Sequence, residues 1–201
     1  TLDINDFKDV PAWFGLDLAS KLDVCSMVNL FARTEADGKL HYYCFSRHFL
    51  PEETIFDADQ KNTKLYQQWI NTPWANSEGS ALKPTDGAEV DFNEVAGEII
   101  ELADRFMVRE VPHDPWNSAQ LAQQLNEQGV MAIKIPQTTV HLSPGMKEIE
   151  SALAAGRFHH DGNPVLTWMM SNVSAKEDAK GNVFPRKEKR DQKIDGAIAL
   201  I

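Results

Sequence analysis

The fold of this chain begins with the segment AWFGLDL at residues 12–18, an apolar run that contains one acidic side chain, Asp17. Two longer runs, at residues 24–33 and 40–50, have the length and composition of strands and are bounded by turn residues. Consecutive runs of this kind are typical of antiparallel strands. The N-terminal part of the chain therefore predicts a three-stranded antiparallel meander.

The Asp-Gly pair at residues 37–38 lies between the two longer runs and is a strong signal for a two-residue hairpin turn. With that turn, Cys44 would face Phe31 and Cys25 would face Leu50. These are the two cysteines of the chain, and their sulfur atoms would lie roughly 20 Å apart at the usual rise per strand residue. We therefore expect no disulfide, as suits a reducing cytosol.

Helices and strands alternate in the rest of the chain, and Asp91 is the predicted N-cap of one of the helices. Residues 163–170 are compatible with either a short helix or a short strand. The other predicted elements are helices over 62–70, 91–105, 118–128 and 143–155, strands over 106–111 and 130–135, a loop over 71–87, a polar hairpin-like arm over 175–190, and a last helix from near Arg190. This order predicts an α/β fold with a mixed central sheet, antiparallel in its first three strands and parallel afterwards, with helices on both faces.

The 201 residues, of which 42% are hydrophobic, can bury the core of one domain of ordinary size. No apolar run approaches the roughly 20 residues that cross a bilayer, and no basic-then-apolar leader precedes Thr1. We expect an intracellular protein that does not insert into a membrane. The formal net charge of -10 argues against a protein that holds nucleic acid by charge alone.

Two acidic residues follow strand-like segments. Asp17 ends the first apolar run, where an ionised carboxylate needs a partner or a cation, unless it opens a turn with the help of Ser20. Asp114 follows the strand over 106–111 and precedes Pro115. An Asp-Pro pair is also a common start of a helix, so Asp114 is either a functional acid or an N-cap.

A third acid, Asp195, lies at the head of an apolar helix, between Ile194 and Gly196. A carboxylate at this place interacts favourably with the helix dipole, which is the structural interpretation. The glycine beside it allows a close approach to a sheet, which favours the functional interpretation. Both stay open for this residue alone.

Together, Asp17, Asp114 and Asp195 are carboxylates from two strands and a helix that can converge on a metal ion. Carboxylate oxygens suit Mg²⁺ or Mn²⁺, which keep open positions for water. Two such ions about 4 Å apart stabilise both the attacking and the leaving oxygen of a phosphodiester displacement. The three acids therefore predict hydrolysis of a phosphate backbone.

Four motifs of the chain resemble, in the same order, those of the nuclease half of the tailed-bacteriophage terminase large subunit. The motifs are FGLDLAS at residues 14–20 with Asp23, HDPWN at residues 113–117, DGNPVL at residues 161–166 with Trp168 and Asn172, and KIDG at residues 193–196. Each motif is weak by itself, whereas four in order over nearly the whole chain form a specific pattern. The resemblance implies a ribonuclease H-like fold of the retroviral integrase superfamily.

The resemblance implies roles for the three acids, while proximity in sequence and charge indicate roles for other residues. Asp17, Asp114 and Asp195 would be the catalytic acids and the ligands of two Mg²⁺ or Mn²⁺ ions, with Asp17 bridging the ions. Ser20 and Asp23, close to Asp17 in sequence, would support its position. The basic residues of the polar arm would contact DNA phosphates, or else form a solvated face: Arg186, Lys187, Lys189 and Arg190.

Terminases of this family cut concatemeric viral DNA during genome packaging, in the cytoplasm of the bacterial host. The implied partners are double-stranded DNA, the terminase ATPase domain in the same native chain, the terminase small subunit and the portal. No glycine is followed by Lys-Ser or Lys-Thr, so the P-loop of an ATPase motor is missing from this sequence. We expect residues 1–201 to be a single nuclease domain from the C-terminal part of a larger protein.

Two other function classes stay open. The GLDL segment at residues 15–18 also resembles the first phosphate loop of actin-like ATPases and sugar kinases, although Ala19-Ser20 replaces the expected glycine. A catalytically silent docking module, in which the acids serve only as caps, is the third possibility.

Several histidines near the acids are weaker candidates. His113 would point to the face opposite Asp114 if the strand continues. His159, His160 and Asp161 are alternative ligands, but the Gly-Asn-Pro that follows them is typical of a loop.

Overall fold

A computed structural model of the protein describes residues 2–18, 23–76, 79–116 and 118–201. A short 3-10 helix, Ile4–Phe7, precedes the first strand. The strands are β1 (Pro11–Asp17), β2 (Cys25–Thr34), β3 (Leu40–Pro51), β4 (Lys83–Thr85), β5 (Met107–His113), β6 (Ala132–Lys134), β7 (Phe158–His160), β8 (Val173–Glu177) and β9 (Val183–Lys187). The helices are α1 (Glu52–Phe56), α2 (Thr63–Ile70), α3 (Phe92–Arg105), α4 (Ala119–Glu127), α5 (Thr139–Ala154), α6 (Pro164–Ser171) and α7 (Asp195–Leu200).

The central sheet has the strand order β4-β3-β2-β1-β5-β6, and β7 also pairs with β3. Strands β1, β2 and β3 are antiparallel to one another, while β5 is parallel to β1 and β6 is parallel to β5. This is the predicted mixed α/β sheet, antiparallel in its first three strands and parallel afterwards. None of the described helices is long and apolar enough to cross a membrane.

Two layers of helices enclose the sheet. On one face, α3 and α4 cover a core that contains several aromatic side chains of the meander: Phe14, Phe31, Phe45 and Phe49. On the other face, α6 and α7 pack against β2 and β3. Side chains alternate along a strand, so Leu16 faces the α3 side whereas Gly15 and Asp17 face the α7 side.

The hairpin between β2 and β3 differs from the prediction by one residue. Cys44 faces Leu30, and Cys25 faces Phe49. The connection uses three residues, 36–38, and Gly38 has the left-handed φ of +75° that suits the last position of such a loop. Both cysteines are free and buried.

Two strands lie where the sequence indicates loops. β4 lies inside the predicted loop over 71–87, and β7 contains His159 and His160, so both loop predictions are wrong there. Each strand is only three residues long, and Pro84 lies within β4, so neither carries a strand pattern. Their pairing with β3 gives them an extended conformation.

Residues 163–170, which the sequence leaves open, belong to helix α6, whose N-cap Asn163 accepts a backbone hydrogen bond in the first turn. The last helix begins at Asp195 and not near Arg190, because a turn closed by the side chain of Gln192 comes before it. These bounds place Asp195 in the first turn of α7.

Helix α5 begins at Thr139, one turn before the predicted start at Ser143, because Leu142 N donates a hydrogen bond to Thr138 O. The predicted cap of α3 is confirmed, since Asp91 accepts a hydrogen bond from a backbone N–H of the first turn. The predicted hairpin-like arm is the antiparallel pair of β8 and β9.

Candidate metal centre

Two of the predicted acids, Asp17 and Asp114, lie next to each other at the ends of adjacent strands. Leu16 of β1 is paired with His113 of the parallel neighbour β5, so Asp17 and Asp114 follow at the same level of adjacent strands. Residues at the same level of parallel strands share a face of the sheet. This face is the one that α7 covers.

Asp195 reaches the same edge because two glycines allow α7 to lie close to the sheet. A Cβ atom on Gly15 would come within 1.9 Å of Ala199 O, and one on Gly196 within 2.9 Å of His48 Cε1. A residue with a side chain would push the helix away. The close approach predicted from Gly196 is confirmed, and Gly15 is its counterpart on β1.

The carboxylate of Asp17 lies among protein atoms, although the residue as a whole is partly exposed. Burial and then the negative charge of Asp195 raise the pKa of Asp17 to about 8. Gln137 opposes this rise, because its Nε2 donates a hydrogen bond of 3.0 Å to Asp17 Oδ1. Asp114 and Asp23 contribute smaller shares of the rise. These carboxylates therefore disfavour one another's ionisation.

Asp195 is perturbed in the same direction. Burial and then the charge of Asp23 raise the pKa of Asp195 to about 6, whereas its own backbone N–H, Lys193 and Lys187 oppose the rise. Its Oδ2 atom is buried and has no hydrogen-bond partner among the described residues. A buried carboxylate oxygen of this kind is an atom that a bound cation would satisfy.

Asp23, one of the two residues expected to support Asp17, lies close to the other acids. Its Oδ1 is 2.5 Å from Lys193 Nζ and also accepts a hydrogen bond of 2.8 Å from Val24 N. Ser20, the second residue expected to support Asp17, lies outside the described residues.

Asp114 is not the cap of α4. Its Oδ1 accepts a hydrogen bond of 2.7 Å from Trp116 N, and its main-chain oxygen accepts one of 2.6 Å from Ser118 Oγ. The helix begins only at Ala119, so the acid closes a turn that ends β5. The buried His113 lies beside it, with Nδ1 2.9 Å from Asp114 O.

The acids do not form a finished metal cage. Within the part of the chain that the structure describes, no three His, Cys, Asp or Glu side chains are grouped so that they could hold an ion. The charges of Asp17, Asp195 and Asp23 influence one another, and Asp114 has a weaker effect on Asp17. The set consists of carboxylates, whose oxygen atoms fit a hard divalent cation.

The resemblance to terminases agrees with a match to a known protein family. The family described as terminase large subunit, endonuclease domain, matches residues 1–201. The chain belongs to this family. Its fold is the ribonuclease H-like fold of terminase nucleases, as the motifs predict.

The relatives of this terminase nuclease domain are longer proteins. The present chain is 38% identical over 209 residues to Protein YmfN of Escherichia coli (strain K12), and the match covers 100% of this chain and 44% of that protein. It is 28% identical over 191 residues to the terminase large subunit of Enterobacteria phage HK97, with 94% of the chain and 36% of that protein covered. The chain thus spans less than half the length of these curated relatives.

Crystal structures of terminases have the same fold. The HK97 bacteriophage large terminase matches with a TM-score of 0.78 at 26% identity, covering 95% of this chain and 38% of that chain. The large terminase nuclease from thermophilic phage G20c, with bound magnesium, matches with a TM-score of 0.58 at 13% identity, covering 96% and 80%. The G20c nuclease is also known with bound cobalt.

The basic residues of the predicted arm lie on β9 and just after it in this terminase nuclease. All four are exposed: Arg186, Lys187, Lys189 and Arg190. The charge of Lys187 lowers the pKa of Asp195, so this lysine lies near the acids. Arg186 lines a groove that also contains Gln137, the hydrogen-bond partner of Asp17. The β8–β9 hairpin therefore borders the candidate site.

Two residues of the site carry no assigned role in the sequence. Gln137 lies between β6 and α5, and no local pattern connects it with Asp17. Lys193 is part of the KIDG motif, two residues before Asp195. This position connects it with the acid, but the charge pattern alone does not predict its ion pair.

A third unassigned residue, His48, lies beneath the start of α7. Its Nδ1 is 2.9 Å from Ser26 Oγ, and its Nε2 is 3.1 Å from Ser46 Oγ. Burial lowers the pKa of His48 to about 3, so the ring is neutral at physiological pH. His48 supports the contact with Gly196 and adds no positive charge to the acids.

The alternative ligands near β7 make contacts that stabilise the fold. His159 Nε2 lies 2.9 Å from His41 Nδ1, and its ring stacks on Tyr43. Asp161 accepts a hydrogen bond of 3.1 Å from Trp74 Nε1. These contacts join β7 and the following turn to their neighbours and do not involve the candidate acids.

Proposed function

We propose that this chain is a metal-dependent endodeoxyribonuclease that cuts concatemeric viral DNA during genome packaging, by two-metal-ion hydrolysis of phosphodiester bonds. The observation that carries the proposal is the buried Oδ2 of Asp195, which lies near Asp17 at the edge of a ribonuclease H-like sheet and has no hydrogen-bond partner among the described residues. The negative charge of Asp195 makes the ionisation of Asp17 less favourable, and a bound cation would compensate both charges. Magnesium and cobalt bound to the G20c nuclease support the same ion class.

Asp17, Asp195 and Asp114 would hold the ions, Mg²⁺ or Mn²⁺, with support from Asp23. The unpartnered Oδ2 of Asp195 and the all-oxygen donor set fit this role. When bound, two divalent ions supply charge stabilisation for the attacking and leaving oxygens of the displacement.

The chain's own residues orient and balance these acids. Gln137 holds one oxygen of Asp17 by its hydrogen bond, which restricts the rotation of the carboxylate. Lys193 pairs with Asp23. The tight contact of α7 with Gly15 fixes the position of Asp195 relative to β1.

DNA would approach across the β8–β9 hairpin, where these basic side chains are available to contact phosphates: Arg186, Lys187, Lys189 and Arg190. The net charge of -10 makes strong independent DNA binding unfavourable. An ATPase domain in the same native chain would raise the local DNA concentration by tethering. The terminase small subunit and the portal would be the further partners, in the cytoplasm of the bacterial host.

Calorimetry with MnCl₂ tests the site without requiring the correct DNA. The wild-type chain should bind at least one ion, and both Asp17→Asn and Asp195→Asn should weaken binding by about tenfold or more. Asp104→Asn, which removes an exposed acid of α3, is the matched control and should bind as the wild type does.

Cleavage of supercoiled plasmid tests the activity. Nicking should require Mn²⁺ or Mg²⁺, stop with chelator and be lost in Asp17→Asn. Unchanged nicking in that variant would refute the assignment of the site. A wild-type chain that binds no Mn²⁺ would instead favour the docking module, the alternative that agrees with the incomplete grouping of ligands among the described residues. Saturable ATP binding would revive the actin-like or sugar-kinase lobe.

A further inference from the structure

Among the residues that the structure describes, Lys193 pairs with one of the candidate acids. Lys193 Nζ is 2.5 Å from Asp23 Oδ1, and the lysine side chain is only 17% exposed. Its charge also acts on Asp195, two residues further along the chain. The charge of Lys187, which is exposed on β9, also acts on Asp195.

Among the described residues, the side chains that act on one another near Lys193 are mostly carboxylates. Asp23 and Asp195 both act on Asp17, and Asp23 acts on Asp195. A half-buried ammonium ion among several carboxylates provides the charge that a metal ion would otherwise supply. Lys193 therefore stabilises the acids when no divalent ion is bound.

We propose that Lys193 is an internal counter-cation, which a divalent ion displaces from Asp23 when the site fills. The inference rests on the proposed function, because it requires an ion at these acids. It assigns to this lysine the control of metal affinity, in addition to any contact with DNA.

The local structure allows such an exchange. The main-chain oxygen of Lys193 accepts a hydrogen bond of 3.0 Å from Asn172 Nδ2, so the backbone is held while the side chain can move. A lysine ammonium is a point charge on a flexible stem of four carbons. The side chain can leave Asp23 without any change in helix α7.

The first test is calorimetry with MnCl₂ on the chain without DNA. Lys193→Met should bind Mn²⁺ at least about tenfold more tightly than the wild type, because a competing charge is removed. Lys193→Arg keeps the charge and should stay within about threefold of the wild type. Lys39→Met, the matched control, removes an exposed charge at the β2–β3 hairpin, the end of the strands opposite Asp17, and should also stay within about threefold.

The contribution of Asp23 is isolated by a double-mutant cycle. In an Asp23→Asn background, Lys193→Met should change the affinity for Mn²⁺ by less than about threefold. A tenfold gain that persists in this background would show that the lysine repels the ion at long range, which overturns exchange at Asp23.

The second test compares thermal unfolding with chelator and with saturating MnCl₂. Lys193→Met should lower the melting temperature in chelator, where the acids lose their counter-cation, and should match the wild type with Mn²⁺. A merely structural ion pair would lower it equally in both conditions, and that result overturns the proposal.

The failures of the two proposals are distinguishable. If the wild type binds Mn²⁺ and Lys193→Met binds it equally or more weakly, the exchange is refuted while the metal site stands. If the wild type binds no Mn²⁺, the proposed nuclease site fails and the exchange fails with it.

Discussion

The two faces of the sheet carry charge clusters of opposite character. On the α3 face, Arg47 contacts Glu98, and Lys83 Nζ lies 3.0 Å from Glu98 Oε2 and 3.1 Å from Glu94 Oε1. Two cations there compensate two anions. On the α7 face, the described residues include a set of carboxylates that act on one another: Asp17, Asp23, Asp114 and Asp195. Lys193 pairs with one of them, Asp23.

The difference in net charge between the two clusters predicts different roles for them. A buried cluster that is neutral within itself can be stable without a ligand, provided that its hydrogen bonds are made. A cluster with excess negative charge raises its own pKa values and gains stability when a cation binds. The α3 cluster is therefore expected to contribute to folding alone, and the α7 cluster to respond to metal and pH.

The largest expected effect comes from breaking the balanced cluster. Arg47→Met leaves the buried Glu98 with one partner fewer and should lower the free energy of unfolding by about 3–5 kcal/mol. Urea denaturation should show the same loss with chelator and with Mn²⁺. Arg109→Met, on an exposed arginine of β5, should change stability by less than about 0.5 kcal/mol. A loss that Mn²⁺ repairs would contradict the separation of the two clusters.

The unbalanced cluster should make metal-free stability depend on pH. The folded pKa of Asp17, about 8, and that of Asp195, about 6, lie above the usual value of 3.8. Between pH 3.8 and these folded pKa values, the folded state binds more protons than the unfolded state. The contribution of the two acids to stability is therefore full below pH 3.8 and is lost as the pH rises through 6 and 8. In chelator, we expect a loss of about 2–4 kcal/mol between pH 5 and pH 9.

Asp17→Asn should flatten most of this pH dependence, and Mn²⁺ at about 100 times its Kd should add about 2.7 kcal/mol to the wild type at high pH. Denaturation curves at several pH values provide the measurement. A metal-free wild type whose stability rises from pH 5 to pH 9 would show that the acids do not repel one another in the folded state.

The smallest expected effect comes from moving the helix that completes the unbalanced cluster. Gly15→Ala places a Cβ atom against the backbone oxygen of Ala199 and should cost about 1–3 kcal/mol. It should also weaken Mn²⁺ binding, because α7 carries Asp195. Gly97→Ala, at a helical glycine with open space around it, is the control and should raise stability by about 0.5–1 kcal/mol. Equal Mn²⁺ affinity in Gly15→Ala would separate the position of α7 from metal binding.

Much of the fold follows from local sequence patterns, but the hairpin register does not. The Asp-Gly pair at residues 37–38 is compatible with a two-residue or a three-residue loop. A slip of one residue moves a strand's side chains to the opposite face. The observed register brings Phe31 and Phe45 together, with ring centroids 5.7 Å apart, so packing of the core selects the loop.

The short strands β4 and β7 show the same limit. Three residues are too few to display a periodic pattern, and the extended conformation of each strand depends on hydrogen bonds to β3. The sequence of residues 164–171 is ambiguous for a related reason, since this helix is apolar on most sides and packs beside α7.

The candidate site divides in a similar way. Asp17, Asp114 and Asp195 could be selected from sequence because each comes where a strand ends or a helix begins, beside apolar residues. Gln137 could not, because its contact with Asp17 spans 120 positions of the chain. The ion pair of Lys193 with Asp23 likewise depends on the return of α7 to the first strands.

The sequence by itself determined the first three strands, most of the helices and the family to which the chain belongs, and it indicated three candidate acids, because periodicity, turn residues and motifs are local properties. Only the tertiary structure decided that the charge of Asp195 acts on Asp17, that Lys193 pairs with Asp23 and that Asp114 has the weaker effect on Asp17. The physical reason is that pKa values and the need for a cation depend on distances between residues far apart in the chain, and folding alone sets those distances.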